Sequence, residues 1–187
     1  MLLKTLIKNL PIEKKRIKVR GLATNSKKVK KDYIFFAIKG YTSNGEKFIN
    51  EAVNRGASVI ICSKNCKYKN ESIVVLKTSD IRYSLSEISS KYYKLKPKNI
   101  IAVTGTNGKT SVADLYFQIL KYNKIPVASI GTLGIKLREK IIKSNLTSPD
   151  TILLHKSLDN IKRKKINNVI IEASSHGLEQ KRLEYLN

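Results

Sequence analysis

The chain has 187 residues, 41% of them hydrophobic, which suffices for one large or two small globular domains with a real core. Lys and Arg number 37 against 14 Asp and Glu, a formal net charge of +23. That balance raises binding to nucleic acid or an anionic membrane, but the lysines are scattered through every segment and no basic block is interleaved with aromatics. Lys, Ile and Asn are abundant together, as AT-rich codon usage produces, and the positive field favours small anionic substrates such as nucleotides. No stretch approaches the roughly 20 apolar residues of a membrane span. Met1-Leu2-Leu3-Lys4 opens no signal peptide, so a cytoplasmic monomer that binds neither nucleic acid nor membrane is expected. Cys62 and Cys66 have no further ligands near them in sequence and read as two reduced thiols, not a zinc site.

In chain order, residues 1–20 read as a short leading helix and a basic strand. Residues 32–38 (DYIFFAI) form a strand ended by Lys39-Gly40, and a polar loop follows. Residues 46–55 place Phe48, Ile49, Ala52 and Val53 on one helical face, which Gly56 closes. The apolar runs 58–62 and 73–76 are two more strands, and Asp80 caps a helix running to about Leu95. Pro97 breaks that helix and divides the chain into domains at 1–96 and 97–187. Beyond it come a strand at 100–104 and a helix at 111–122 that buries Val112, Leu115, Tyr116, Ile119 and Leu120. A strand at 127–130 leads to the turn Gly131-Thr132-Leu133-Gly134 and a hairpin of 135–137 with 141–143. A helix at 150–164 starts at Pro149 and Asp150, and 168–173 is a third buried strand. The predicted fold class is α/β: a small N-terminal α/β domain, then the first part of a P-loop ATPase domain with a mostly parallel sheet.

The densest chemical signal is Val103-Thr104-Gly105-Thr106-Asn107-Gly108-Lys109-Thr110-Ser111, between a buried strand and a helix. Gly105 and Gly108 let the backbone turn sharply, so that loop amides and the helix N-terminus converge on a phosphate. Lys109 reaches the β- and γ-phosphates, and the Thr110 hydroxyl is placed to ligate Mg²⁺. Val103 stands where the common G-x-x-x-x-G-K-[ST] loop has glycine. Glu172 ends the run NVIIEA, and ligands of open parallel sheets bind at the carboxyl ends of strands. A carboxylate there suits Mg²⁺ beside the phosphate loop.

Together these segments resemble the Mur ligases. The phosphate loop is similar to that family's ATP loop. Asn145-Leu146-Thr147-Ser148-Pro149-Asp150 resembles its L-T-T-P-[DE] segment, and residues 171–182 (IEASSHGLEQKR) its E-x-S-S-H-G-L-x-x-x-R stretch. Residues 25–29 and 32–40 resemble the D-S-R-x-V and G-D-L-F-x-A-x-x-G patterns of the MurE branch. The branch adds the third amino acid to UDP-N-acetylmuramoyl-L-alanyl-D-glutamate in peptidoglycan synthesis, using ATP and Mg²⁺.

The resemblance implies a UDP-sugar-binding domain followed by part of the central ATP-binding domain. It places ATP on Gly105, Thr106, Asn107, Gly108, Lys109, Thr110 and Ser111, and Mg²⁺ on Thr110 and Glu172. Catalysis falls to Lys109 and Glu172. It implies Thr24, Ser26, Tyr41, Thr42 and Ser43 at the UDP-sugar, and Thr147, Ser148, Ser174, Gln180 and Arg182 at the muramoyl dipeptide, with His176 orienting its loop. The reaction implied is phosphorylation of the D-glutamyl carboxylate to an acyl phosphate, which the amine of a free amino acid attacks. That amino acid is meso-diaminopimelate in most of the family and lysine in the rest. The family continues past the position of Asn187 through further metal-binding groups and a C-terminal domain, so this chain alone is expected to be truncated, inactive and prone to aggregate. The competing readings are a non-catalytic nucleotide-binding fragment, a folylpolyglutamate synthase-like ligase, and a basic P-loop nucleic-acid binder. About 95 residues ahead of the loop argue against the second, and the lack of an aromatic-basic motif against the third.

Overall fold

The computed structural model describes residues 1–8, 10–40, 43–137, 140–142 and 149–186, in two compact units, Met1–Tyr92 and Tyr93–Asn187. The first unit carries a parallel sheet of β1 (Gly21–Ala23), β2 (Tyr33–Phe36), β3 (Ala57–Ser63) and β4 (Val74–Thr78), in that spatial order. Helices α1 (Ile49–Asn54) and α2 (Ile81–Tyr92) complete it. In β2 and β3, Ile34, Phe35, Phe36, Val59, Ile60 and Ile61 are all buried, as a parallel sheet covered on both faces requires. Asp80 caps α2 as expected, accepting the Tyr83 N–H at 2.9 Å.

Three expectations for this unit need correction. The leading segment forms two short 3₁₀ turns, Leu3–Thr5 and Ile12–Lys14, with a single antiparallel bridge from Leu2 to Lys18. Pro11 lacks an N–H and restricts the residue before it, so neither a longer helix nor a ladder propagates there. The helix expected over 46–55 opens as a 3₁₀ turn (Gly45–Phe48), which swings Phe48 outward and leaves it exposed. Strand β1 escapes the sequence pattern because three residues are too few for an alternation to register.

The second unit has a sheet in the order β5 (Asn99–Val103), β9 (Asn168–Glu172), β6 (Val127–Gly131), β7 (Gly134–Lys136), β8 (Ile141–Ile142). The first three are parallel, and β7 and β8 add an antiparallel hairpin. Helices α3 (Lys109–Tyr122), α4 (Thr151–Arg163) and the short α5 (Ser175–Glu179) accompany it. Asp150 caps α4 by accepting the Leu153 N–H at 2.8 Å. The first sheet is parallel throughout and the second is parallel in β5, β9 and β6, in agreement with the α/β class.

The stripe expected to bury α3 is not the buried one. Ala113 and Phe117 face the sheet, while Val112, Leu115 and Ile119 are 50%, 62% and 51% exposed. The helix has apolar residues on more than one face, and periodicity does not say which face a neighbour covers. Among the described residues β5 pairs only with β9, so it is an edge strand, and Ile101 on it is exposed as well.

Candidate functional site

The phosphate loop leaves the edge strand β5 at Val103 and enters α3 at Lys109. Gly108 caps α3 with φ +79°, and a Cβ built there meets nothing within 4 Å, so the glycine serves backbone conformation, not space. Residues 104–108 are exposed, and α3 directs its unpaired N-terminal N–H groups at them. The Lys109 ammonium folds back over the loop, donating to the carbonyls of Gly105 and, at 3.4 Å, Thr106.

Strand order decides what lies behind the loop. Because β9 sits between β5 and β6, the residue ending β9 reaches the segments that follow both neighbours. That residue is Glu172, only 2% exposed and level with Val103 of β5. Its Oε2 accepts the Thr110 hydroxyl at 2.8 Å and the Thr132 hydroxyl at 2.9 Å, and its Oε1 accepts the Thr132 N–H at 3.2 Å. Gly131 lies against the same carboxylate: a Cβ there would stand 2.0 Å from Oε1. Thr110 and Glu172, 62 residues apart, are thus side by side. A hydroxyl that donates its proton to Glu172 keeps its lone pairs for a cation, and hydroxyl and carboxylate oxygens are the hard donors Mg²⁺ takes beside phosphates and water. No group of three or more His, Cys, Asp or Glu that could hold a metal occurs among the described residues.

After β9 the chain builds a second polar group. Ser174 caps α5, its hydroxyl accepting the Gly177 N–H at 3.1 Å. Arg182 donates from Nε and Nη2 onto Gln180 Oε1 at 3.1 and 2.7 Å. Gln180 Nε2 lies 2.6 Å from His176 Nε2, and His176 Nδ1 lies 3.6 Å from Glu179 Oε2. Thr147 and Ser148 lie outside the described residues.

In the first unit, Ser26 is buried and donates its hydroxyl to Glu51 Oε2 at 2.7 Å, while Arg55 Nε donates to Glu51 Oε1 at 3.1 Å. The Ser26 hydrogen bond, more than Arg55, holds the Glu51 carboxyl below its usual range. Thr24 and Ser43 are exposed, and the Ser43 carbonyl accepts the Gly40 N–H at 2.8 Å. Tyr41 and Thr42 lie outside the described residues. Sequence reading missed Thr132 and Glu51. Thr132 follows a strand end at the carboxyl edge of a parallel sheet, the one position-based signal that marks it. Glu51 carries none, because its partner lies 25 residues away.

Residues 18–94 match the family model described as Mur ligase family, catalytic domain, and residues 103–187 match Mur ligase middle domain. The chain belongs to the Mur ligase family. It is 42% identical over 175 residues to the UDP-N-acetylmuramoyl-L-alanyl-D-glutamate–2,6-diaminopimelate ligase of Rickettsia prowazekii, covering 90% of this chain and 36% of that protein. Against the ligase of the same name from Brucella melitensis the identity is 36% over 174 residues, 93% of this chain and 36% of the relative. A solved structure of a ligase of that name superposes with TM-score 0.81 at 28% identity, over 99% of this chain and 38% of the other. Thermotoga maritima MurF ligase, solved in complex with ADP, shares the fold at TM-score 0.57 and 24% identity, over 84% of this chain and 32% of its own. The chain spans a little over a third of the length of these relatives. Mur ligases are ATP-dependent ligases, so a phosphate loop at the head of the matched middle domain is in keeping with the family.

Proposed function

We propose that this chain supplies the UDP-sugar-binding unit and the phosphate-loop part of a cytoplasmic, monomeric ligase that joins meso-diaminopimelate to UDP-N-acetylmuramoyl-L-alanyl-D-glutamate. The observation that carries the reading is the Thr110–Glu172 contact behind an exposed glycine loop. It juxtaposes a hydroxyl, a buried carboxylate, an ammonium donor and a helix N-terminus, which is what a Mg²⁺–nucleotide requires. Bound Mg²⁺ would neutralise charge on the transferring γ-phosphoryl group. Lys109 would leave the Gly105 and Thr106 carbonyls for the phosphates, and Thr110 and Glu172 would hold the ion. The loop amides would orient the nucleotide, and positioning with fixed dipoles would supply most of the rate. Ser174, Gln180 and Arg182 would meet the muramoyl dipeptide, with His176 setting the Gln180 amide. Thr24, Ser26 and the 41–43 loop would hold the UDP-sugar. Diaminopimelate is favoured because the relatives cited are named for it.

Calorimetric titration of the chain with Mg²⁺–ATP and, separately, with UDP-N-acetylmuramoyl-L-alanyl-D-glutamate tests this. Both are expected to bind. Lys109→Met removes charge-assisted hydrogen bonds to phosphate and is expected to weaken ATP binding about ten- to hundredfold while leaving the UDP-substrate unaffected. Failure of the UDP-substrate to bind, or equal loss of both ligands in Lys109→Met, refutes the assignment.

A further inference from the structure

Thr110 is not alone in gripping the buried Glu172 carboxylate. A glutamate has three rotatable side-chain bonds, and a cation site needs its oxygens within a few tenths of an ångström of one position. Thr110 contacts one oxygen from the β5 side. From the β6 side, Thr132 contacts both: its N–H on Oε1 and its hydroxyl on Oε2. Two donors from one residue on the two oxygens of one carboxylate fix the rotation of the group as well as its place, which a single bond does not. Gly131 completes the arrangement by leaving open the volume the carboxylate fills, since a Cβ would stand 2.0 Å from Oε1, 2.3 Å from Cδ and 2.6 Å from Cγ.

We propose that Thr132 is a positioning residue of the metal–nucleotide site, acting through Glu172, and that Gly131 is the space that lets it act. The proposal rests on the nucleotide reading above and deepens it: Thr132 sets the affinity of the site for the divalent cation, not for the nucleotide itself. Its partner Glu172 ends the middle strand, so the segments that follow the two flanking strands, the start of α3 after β5 and the turn after β6, each bring one threonine to the same carboxylate. Loss of one such outer partner of a metal ligand costs about ten- to a hundredfold in metal affinity.

The test is titration of the 187-residue chain with Mn²⁺, a paramagnetic substitute for Mg²⁺, at saturating ATP, followed by electron paramagnetic resonance. Thr132→Val keeps the shape and the backbone N–H but removes the hydroxyl, and is expected to weaken Mn²⁺ about ten- to a hundredfold. Thr132→Ser restores the hydroxyl and is expected to fall within about threefold of the parent. Gly131→Ala removes no donor but displaces the carboxylate, and the same loss of Mn²⁺ is expected. ATP affinity measured without any divalent ion is expected to stay within about twofold in all three, a readout that general loosening of the fold would not spare. Parent-like Mn²⁺ affinity in Thr132→Val or in Gly131→Ala overturns the proposal, as does an equal loss in Thr132→Ser. If the unaltered chain binds no Mn²⁺–ATP, the nucleotide reading itself fails. If it binds and the variants match it, only the role of Thr132 and Gly131 fails.

Discussion

His155 lies on α4 with 1% of its surface exposed, and neither ring nitrogen has a hydrogen-bond partner among the described residues. Burial, reinforced by the charge of Lys96, pushes its pKa from 6.5 down to about 4; the Glu184 backbone favours the charged form only weakly, from outside hydrogen-bonding geometry. The sign follows from linkage. Well above pH 6.5 the imidazole is neutral in both folded and unfolded chains and contributes no pH dependence. As the pH falls below 6.5 the unfolded chain takes up a proton that the folded one refuses, so stability drops until the pH nears 4, where both are protonated. At about 1.4 kcal/mol per pH unit the interval corresponds to about 3 kcal/mol. His155→Leu removes the titration and two unsatisfied buried nitrogens, so the variant is expected to match or exceed the parent at pH 7. Its advantage is expected to grow by about 3 kcal/mol between pH 7 and pH 4. Urea unfolding of parent and variant at matched pH, read through amide protection of β6 and β9, isolates this residue from every other titrating group. An advantage that stays flat within about 0.5 kcal/mol across that range would show that His155 is not buried neutral, and the reasoning would fail.

Two further outcomes are expected. Gly108→Ala strains a backbone at φ +79° without any clash, so it should lower stability by only about 1 kcal/mol, seen as a small drop in the thermal midpoint; a loss several times larger would mean that space, not conformation, requires the glycine. Cys62 and Cys66 are free and buried, and burial first, then the neighbouring Cys66 thiol, pushes Cys62 up to about 12. Neither thiol should react with a thiol-specific chromogenic disulfide at pH 8 until denaturant is added, and rapid labelling of Cys62 in the native chain would contradict that environment.

Much of the first unit and the phosphate loop was legible in the residues because their signals are local. Uninterrupted apolar runs marked β3 and β9, Asp80 and Asp150 marked helix starts, and two glycines before Lys109-Thr110 marked a loop between a strand and a helix. Faces and short elements were harder. The buried side of α3 was misplaced because Phe117 and Ala113 compete with a second apolar stripe, and β1 and the 3₁₀ turns are shorter than any period they could display.

What the sequence determined alone, then, is a nucleotide-type loop, an alternating α/β order and a carboxylate at the end of a buried strand. The strand-end position and the family resemblance already set it beside the phosphate loop and Thr110; only the tertiary structure decided that Thr132 grips it as well. The reason is the order in which strands enter the sheet. β9 comes last of the three parallel strands in the chain but lies between the other two in space. That insertion also brings Thr132, 40 positions away, onto the same carboxylate, and no periodicity or motif along the chain encodes that contact. Strand insertion is settled by which apolar faces find cover, a property of the whole packed unit and not of any window of residues.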